Sequence, residues 1–157
     1  MPVFLWILLA LAMAIPAAEL AAQQARPLSR AQTALRAEAE RFMADYGAEL
    51  RAGDRAAIAR RYDRRGAWRV GHGDAVLESW DRIQATYAGA QWQPPAAFEW
   101  RDLAYEVAGP DAVVVVGRFA WTPAAGRPPM IFSYTGLLVR QDGQLRIRLE
   151  DESTGRN

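Results

Sequence analysis

Whatever chemistry this chain of 157 residues performs must come from a short list of side chains. It contains no cysteine and no lysine, and its one histidine is His72. Without cysteine there is no thiolate nucleophile, zinc–thiolate site or disulfide. Without lysine there is no Schiff base. A single imidazole cannot build a multi-histidine metal centre, and no serine sits in a Gly-x-Ser-x-Gly elbow. Carboxylates, tyrosines, arginines and His72 remain, so neither a metal nor an organic cofactor is expected.

Three residues stand out as catalytic candidates. His72 lies between Gly71 and Gly73 in "RVGHGD", where a tight turn sets the ring at a strand end. An unperturbed imidazole, with a pKa of about 6.5, can act as a base at neutral pH. Asp74 and Asp151 are the acids that could orient it. Tyr46 falls on an apolar helical stripe, either as a core tyrosine or as a donor at a pocket floor; both need a hydroxyl partner. Asp151 belongs to the last strand. There Leu145, Ile147, Leu149 and Asp151 share one parity, and Arg146, Arg148 and Glu150 share the other. That alternation predicts a buried face holding Asp151 and a wet face holding Glu150.

An apolar pocket would be lined by Trp68, Val70, Trp80, Trp100, Phe119 and Tyr134. Trp68, Val70 and His72 share one parity and hence one strand face. With Trp92 and Trp121, the tryptophans Trp68, Trp80 and Trp100 form the main aromatic set outside the first segment. Arg118, in a valine-rich strand, reads as an outer-face residue, or as a carboxylate ligand if it turns inward. Arg60, Arg61, Arg64 and Arg65 read as a solvated surface. With 19 basic and 18 acidic residues the formal charge is +1, which gives no electrostatic case for nucleic acid.

The elements that must position these groups follow from periodicity. Residues 1–22 contain an apolar run from Val3 to Ile15 and read as a signal peptide or N-terminal anchor. Residues 23–28 are a linker, and 29–157 are one domain with length enough for a real core. Ser29 to Leu50 is a helix with Leu35, Ala39, Phe42, Met43, Tyr46 and Leu50 on one side. Gly53 stops it and Asp54 caps a short second helix from Arg55 to Tyr62. Two short strands surround the His72 turn, and "SWDRIQATYAG" is a third helix. Pro94 and Pro95 mark a loop, and four antiparallel strands follow, the last pair joined at Asp142-Gly143. Helices followed by a meander predict an α+β, cone-shaped roll, with the helices on the concave face of a curved, mainly antiparallel sheet.

The order and spacing of "YGAELRAGDRAAIARRYD", "ESWDRIQATY" and "LVRQDGQLRIRLEDES" resemble the nuclear-transport-factor-2-like superfamily, which includes SnoaL-like and ketosteroid-isomerase proteins. The likeness covers about Leu28 to Ser153. It implies an apolar pocket between sheet and helices, and often a dimer, but no one activity. The isomerase branch places an oxyanion tyrosine eight residues before the "GD" aspartate, which here is Tyr46 before Asp54. Its base lies sixteen residues after that aspartate, and here the position is Val70, which takes no proton. No carboxylate in "MIFSYTGLLVR" supplies its protonated acid, so that specific chemistry is not expected. SnoaL-like relatives often end on "HxHxS"; here the positions are Leu149, Asp151 and Ser153.

The resulting expectation is an exported, periplasmic or secreted, domain that binds a small apolar or amphipathic ligand in its cone. One alternative is an isomerase, cyclase or dehydratase-like enzyme using His72 and Tyr46. Another is a dimerisation or interaction domain of the cell envelope. A homodimer is the expected assembly, nucleic acid is not a partner, and membrane contact would be only through an uncleaved leader.

Overall fold

A computed structural model of the chain describes residues 27–71 and 73–154. The expected leader, linker residues 23–26, His72 and residues 155–157 lie outside the described residues.

Helix α1 (Arg30–Ala52) starts at a capping box in which Ser29 and Gln32 each bond the other's backbone N–H. Its predicted stripe is the buried one, from Leu35 through Phe42, Met43 and Tyr46 to Leu50. Each large side chain buried there contributes roughly 1.5–3 kcal/mol. Gly53, at φ 67°, adopts the left-handed conformation that ends the helix. Asp54 then caps α2 (Arg55–Arg60) by accepting from the Ala57 N–H at 2.9 Å. Strands β1 (Ala67–Gly71) and β2 (Asp74–Glu78) form a hairpin, and Ser79 caps α3 (Trp80–Ala88).

Strands β3 (Ala97–Gly109), β4 (Ala112–Thr122), β5 (Met130–Gln141) and β6 (Gln144–Thr154) follow as an antiparallel meander. The six strands form one open sheet in the order β2-β1-β6-β5-β4-β3, and only β1 and β6 run parallel. The helices cover its concave face, as the α+β cone expectation requires.

Two irregularities shape that concave face. In β3 the register slips between Arg101 and Ala104, with Asp102 at φ 53°. Phe98 and Trp100 face inward before the slip, and Leu103, Tyr105 and Val107 do so after it. Gly117 of β4 lets the bulge close down, because a Cβ there would stand 2.7 Å from Leu103 Cδ2. In β6 the pairing runs Leu138↔Ile147 and then Leu137↔Leu149, leaving Arg148 as the extra residue. Ahead of this bulge β6 meets the Tyr62 bridge; beyond it, the parallel partner is β1. Arg148 Nη1 anchors the bulge on the Gly66 carbonyl oxygen at 2.6 Å.

The bulge corrects the parity expected for β6. Leu145 and Ile147 are buried as predicted, but beyond Arg148 the faces exchange. Glu150, expected on the wet side, is 1% exposed, and Asp151 turns to the outer face. A one-residue insertion moves every later side chain across the sheet.

Candidate functional site

Four elements converge on the Glu150 carboxylate. Tyr46 comes from α1, Tyr62 from the turn after α2, Tyr87 from α3 and Arg69 from β1. The Tyr62 hydroxyl donates to Glu150 Oε2 at 2.6 Å, and the Tyr46 hydroxyl donates to Oε1 at 3.3 Å. With the Tyr62 proton committed to Glu150, the 2.8 Å bond between Tyr62 and Tyr87 has Tyr87 as donor. Arg69 Nη1 donates to the Tyr62 oxygen at 3.2 Å and lies 3.7 Å from Glu150 Oε2. All of these donors lead to one carboxylate, and the guanidinium offsets its charge.

The electrostatics agree with this direction. Burial, reinforced by the Glu150 charge, raises Tyr46 well above an ordinary phenol. Burial likewise raises Tyr62 and Tyr87. The Tyr62 oxygen, and then Glu150 against the cost of burial, hold Arg69 firmly protonated. The tyrosines therefore remain hydroxyl donors throughout the physiological pH range.

Above this floor opens a cavity of about 410 Å³. Its apolar wall includes Phe98, Phe119, Trp121 and Phe132, and Phe119 and Phe132 stack at 4.8 Å. Trp92 closes the rim. Arg55 of α2 holds that rim by donating to the Trp92 carbonyl at 2.8 Å and the Gly89 carbonyl at 2.7 Å.

Glu152 and Arg69 provide the charged part of the lining. Glu152 has no hydrogen-bond partner among the described residues. Burial, and then the neighbouring Glu150 charge, push its carboxyl up to about 8. At neutral pH it is mainly an uncharged acid in an aromatic cavity.

The expected site residues divide between the two faces. Tyr46 lies at the cavity floor, and its hydroxyl donates into the floor network, toward the Tyr62 oxygen at 3.1 Å and Glu150 Oε1 at 3.3 Å. Phe119 lines the wall. Tyr134 and Trp100 pack below the wall at 4.8 Å from each other, and the Tyr134 hydroxyl is buried with no partner among the described residues. Trp80 packs against the core away from the cavity lining. Trp68, Val70 and Asp151 require correction: Trp68 is 40% exposed, and Val70 pairs with Asp151 on the outer face. Arg69, between Trp68 and Val70, is the β1 residue that reaches inward. Arg118 lies on the outer face in an ion pair with Asp102. His72 lies outside the described residues, so the structure does not place it in the cavity or elsewhere.

Reasoning from sequence passed over Tyr87, Arg69, Glu150 and Glu152. Tyr62 entered that reasoning only as the last residue of the second helix. "LEDES" carried a usable signal, since three acids in four strand positions place at least one on the buried face in either register.

No protein-family model matches the chain, and no curated protein matches it significantly. Solved structures do. An NTF-2-like protein of unknown function from Shewanella oneidensis is 17% identical, with a TM-score of 0.63 over 74% of this chain and 96% of that one. A candidate scytalone dehydratase from Novosphingobium aromaticivorans is 15% identical, with a TM-score of 0.65 over 82% and 89% of the two chains. A candidate ketosteroid isomerase from Parabacteroides distasonis is 15% identical, with a TM-score of 0.60 over 73% and 83%. Such distant likeness speaks for architecture and not for activity. By its element order, its curved sheet and these neighbours, the chain folds as an NTF2-like α+β cone.

Proposed function

We propose that this domain binds a small amphipathic molecule in its cone. The observation that carries the reading is the 410 Å³ cavity, lined by aromatic walls, the Arg69 guanidinium and the Glu152 carboxyl, which has no partner among the described residues. A cavity of this kind takes up apolar surface and fixes orientation through a few polar groups. Phenylbutanol, a neutral probe with a ring, a short chain and one hydroxyl, tests it. Trp92 and Trp121 line the cavity and report occupancy by fluorescence. Saturable quenching that weakens when Phe132→Asp makes the wall polar is expected. Absence of saturable binding, with no small molecule retained in native mass spectra, would refute the reading.

A second reading, acid–base catalysis, is favoured by the raised Glu152 carboxyl. Catalytic acids and bases are commonly tuned this way in apolar pockets. In this reading Glu152 moves the proton, since Tyr46 is bound to Glu150 and Asp151 faces outward. Exchange of the α-hydrogens of simple ketones in heavy water, abolished by Glu152→Gln, is the expected sign. Equal exchange by both proteins would exclude it.

The expected homodimer would use the outer sheet face, where Leu77, Trp68, Leu149, Leu137 and Val114 are successive cross-strand neighbours. Sedimentation at rising concentration tests it, and a strict monomer would refute it. Export remains our proposal for residues 1–22; a mature protein still beginning at Met1 in the cytoplasm would overturn it.

A further inference from the structure

We propose that the ligand is a small amphipathic amine, whose protonated nitrogen is received by Glu152 and whose apolar part lies against the aromatic wall. This rests on reading the cavity as a ligand site. The two acids on the inner face of β6 differ in what remains open. Glu150 is enclosed by Tyr46, Tyr62 and Arg69. Glu152 lines the cavity and has no partner among the described residues.

The charges around Glu152 decide which headgroup suits it. Glu150 shares its strand face, and Asp151 turns to the opposite face. Arg69 faces it from β1, Tyr134 pairs with it from β5, and Tyr46, Tyr62 and Tyr87 close the floor from the helical side. Glu150 acts more strongly on this carboxyl than Arg69 does, so the local potential is negative on balance. An ammonium converts Glu152 from a part-buried neutral acid into half of an ion pair, leaving the site with two negative and two positive groups. A ligand carboxylate would add a second negative group, after Glu150, beside one guanidinium.

Binding is then coupled to a proton. At pH 7 the reaction is Glu152–COOH plus R–NH₃⁺ giving the carboxylate–ammonium pair, with one H⁺ released to buffer. Amine affinity rises with pH by up to about tenfold per unit below about 8, then levels until the amine itself loses its proton.

The full chain is titrated calorimetrically with phenylbutylamine, phenylbutanol and phenylbutyrate, in buffers of different ionisation enthalpy. The amine is expected to bind tightest and to release about one proton at pH 7. Glu152→Gln should weaken the amine by about tenfold or more, remove the proton release and change phenylbutanol affinity far less than it changes the amine's. Tighter binding of phenylbutyrate, or an amine affinity unaffected by Glu152→Gln, overturns the proposal while leaving the cavity reading intact. A pH step that disappears in His72→Gln but survives in Glu152→Gln also overturns it. If none of the three probes binds, the cavity reading itself fails and this proposal falls with it.

Discussion

Glu150 and Glu152 stand two residues apart on one face of β6, yet they lie in opposite electrostatic settings. At the floor, Tyr46, Tyr62 and Arg69 surround Glu150. Toward the cavity, Glu152 has neither a donor nor a counter-charge of its own among the described residues, and its carboxyl is pushed up to about 8. Burial alone therefore does not decide the state of a carboxyl. Convergent donors stabilise a buried charge, and without them the group takes up a proton. The floor is a satisfied network, while the carboxyl without a partner among the described residues is the one that lines the cavity.

Substitutions at the two positions should break this comparison in opposite directions. The largest effect is expected from Glu150→Ala, which leaves Arg69 without its counter-charge and the Tyr46 and Tyr62 hydroxyls without their carboxylate acceptor. Losing one partner of a buried charged network costs about 3–5 kcal/mol, readable as a fall in the urea midpoint. A loss below about 1 kcal/mol would mean that Glu150 does not organise the floor.

Glu152→Gln should stabilise the empty protein at high pH, by roughly 1–3 kcal/mol. The sign follows from the proton count. Between the ordinary carboxyl value of 4.5 and about 8, the folded state holds a proton that the unfolded state has lost. The wild type therefore loses stability as pH rises through that window, and the variant does not. Denaturation at pH 5 and pH 9 should show a gap that widens at the higher pH; a constant gap would disprove the raised carboxyl.

Two removals of a tyrosine hydroxyl sharpen the point further. Tyr62→Phe deletes the 2.6 Å bond to Glu150 and should cost about 1–2 kcal/mol. Tyr134→Phe deletes a hydroxyl with no partner among the described residues and should change stability by less than about 0.5 kcal/mol. Equal losses would show that Tyr134 has an acceptor after all, and denaturation of the two variants side by side decides it.

Much of the scaffold was legible because it depends on short-range rules. The stripe of α1, the Asp54 cap, the Gly53 stop and the Asp142-Gly143 turn are local in sequence and appear where expected. Phe119, expected in the pocket lining, stands on the cavity wall, in a strand that pairs with β5 without a register shift. The site was less legible. In β6 the alternation was read correctly to Ile147 and then inverted, since nothing in "LRIRLEDES" marks Arg148 as the extra residue. In β1 the apolar character of Trp68 and Val70 suggested an inward pair, but Arg69 turned inward to meet a buried carboxylate.

The sequence by itself determined that this chain forms an α+β roll, that its chemistry excludes thiols and lysine, and that its first helix carries Tyr46 inward. These properties follow from composition and from periods of two and 3.6 residues, which neighbouring side chains express without distant help. Only the tertiary structure decided which acid is buried and which tyrosines meet it. Those choices depend on a bulge where β6 passes from the Tyr62 bridge to β1, and on residues as far apart as Tyr46 and Glu150 coming within hydrogen-bond distance. Such contacts arise from register and curvature of the whole sheet, which no local pattern encodes.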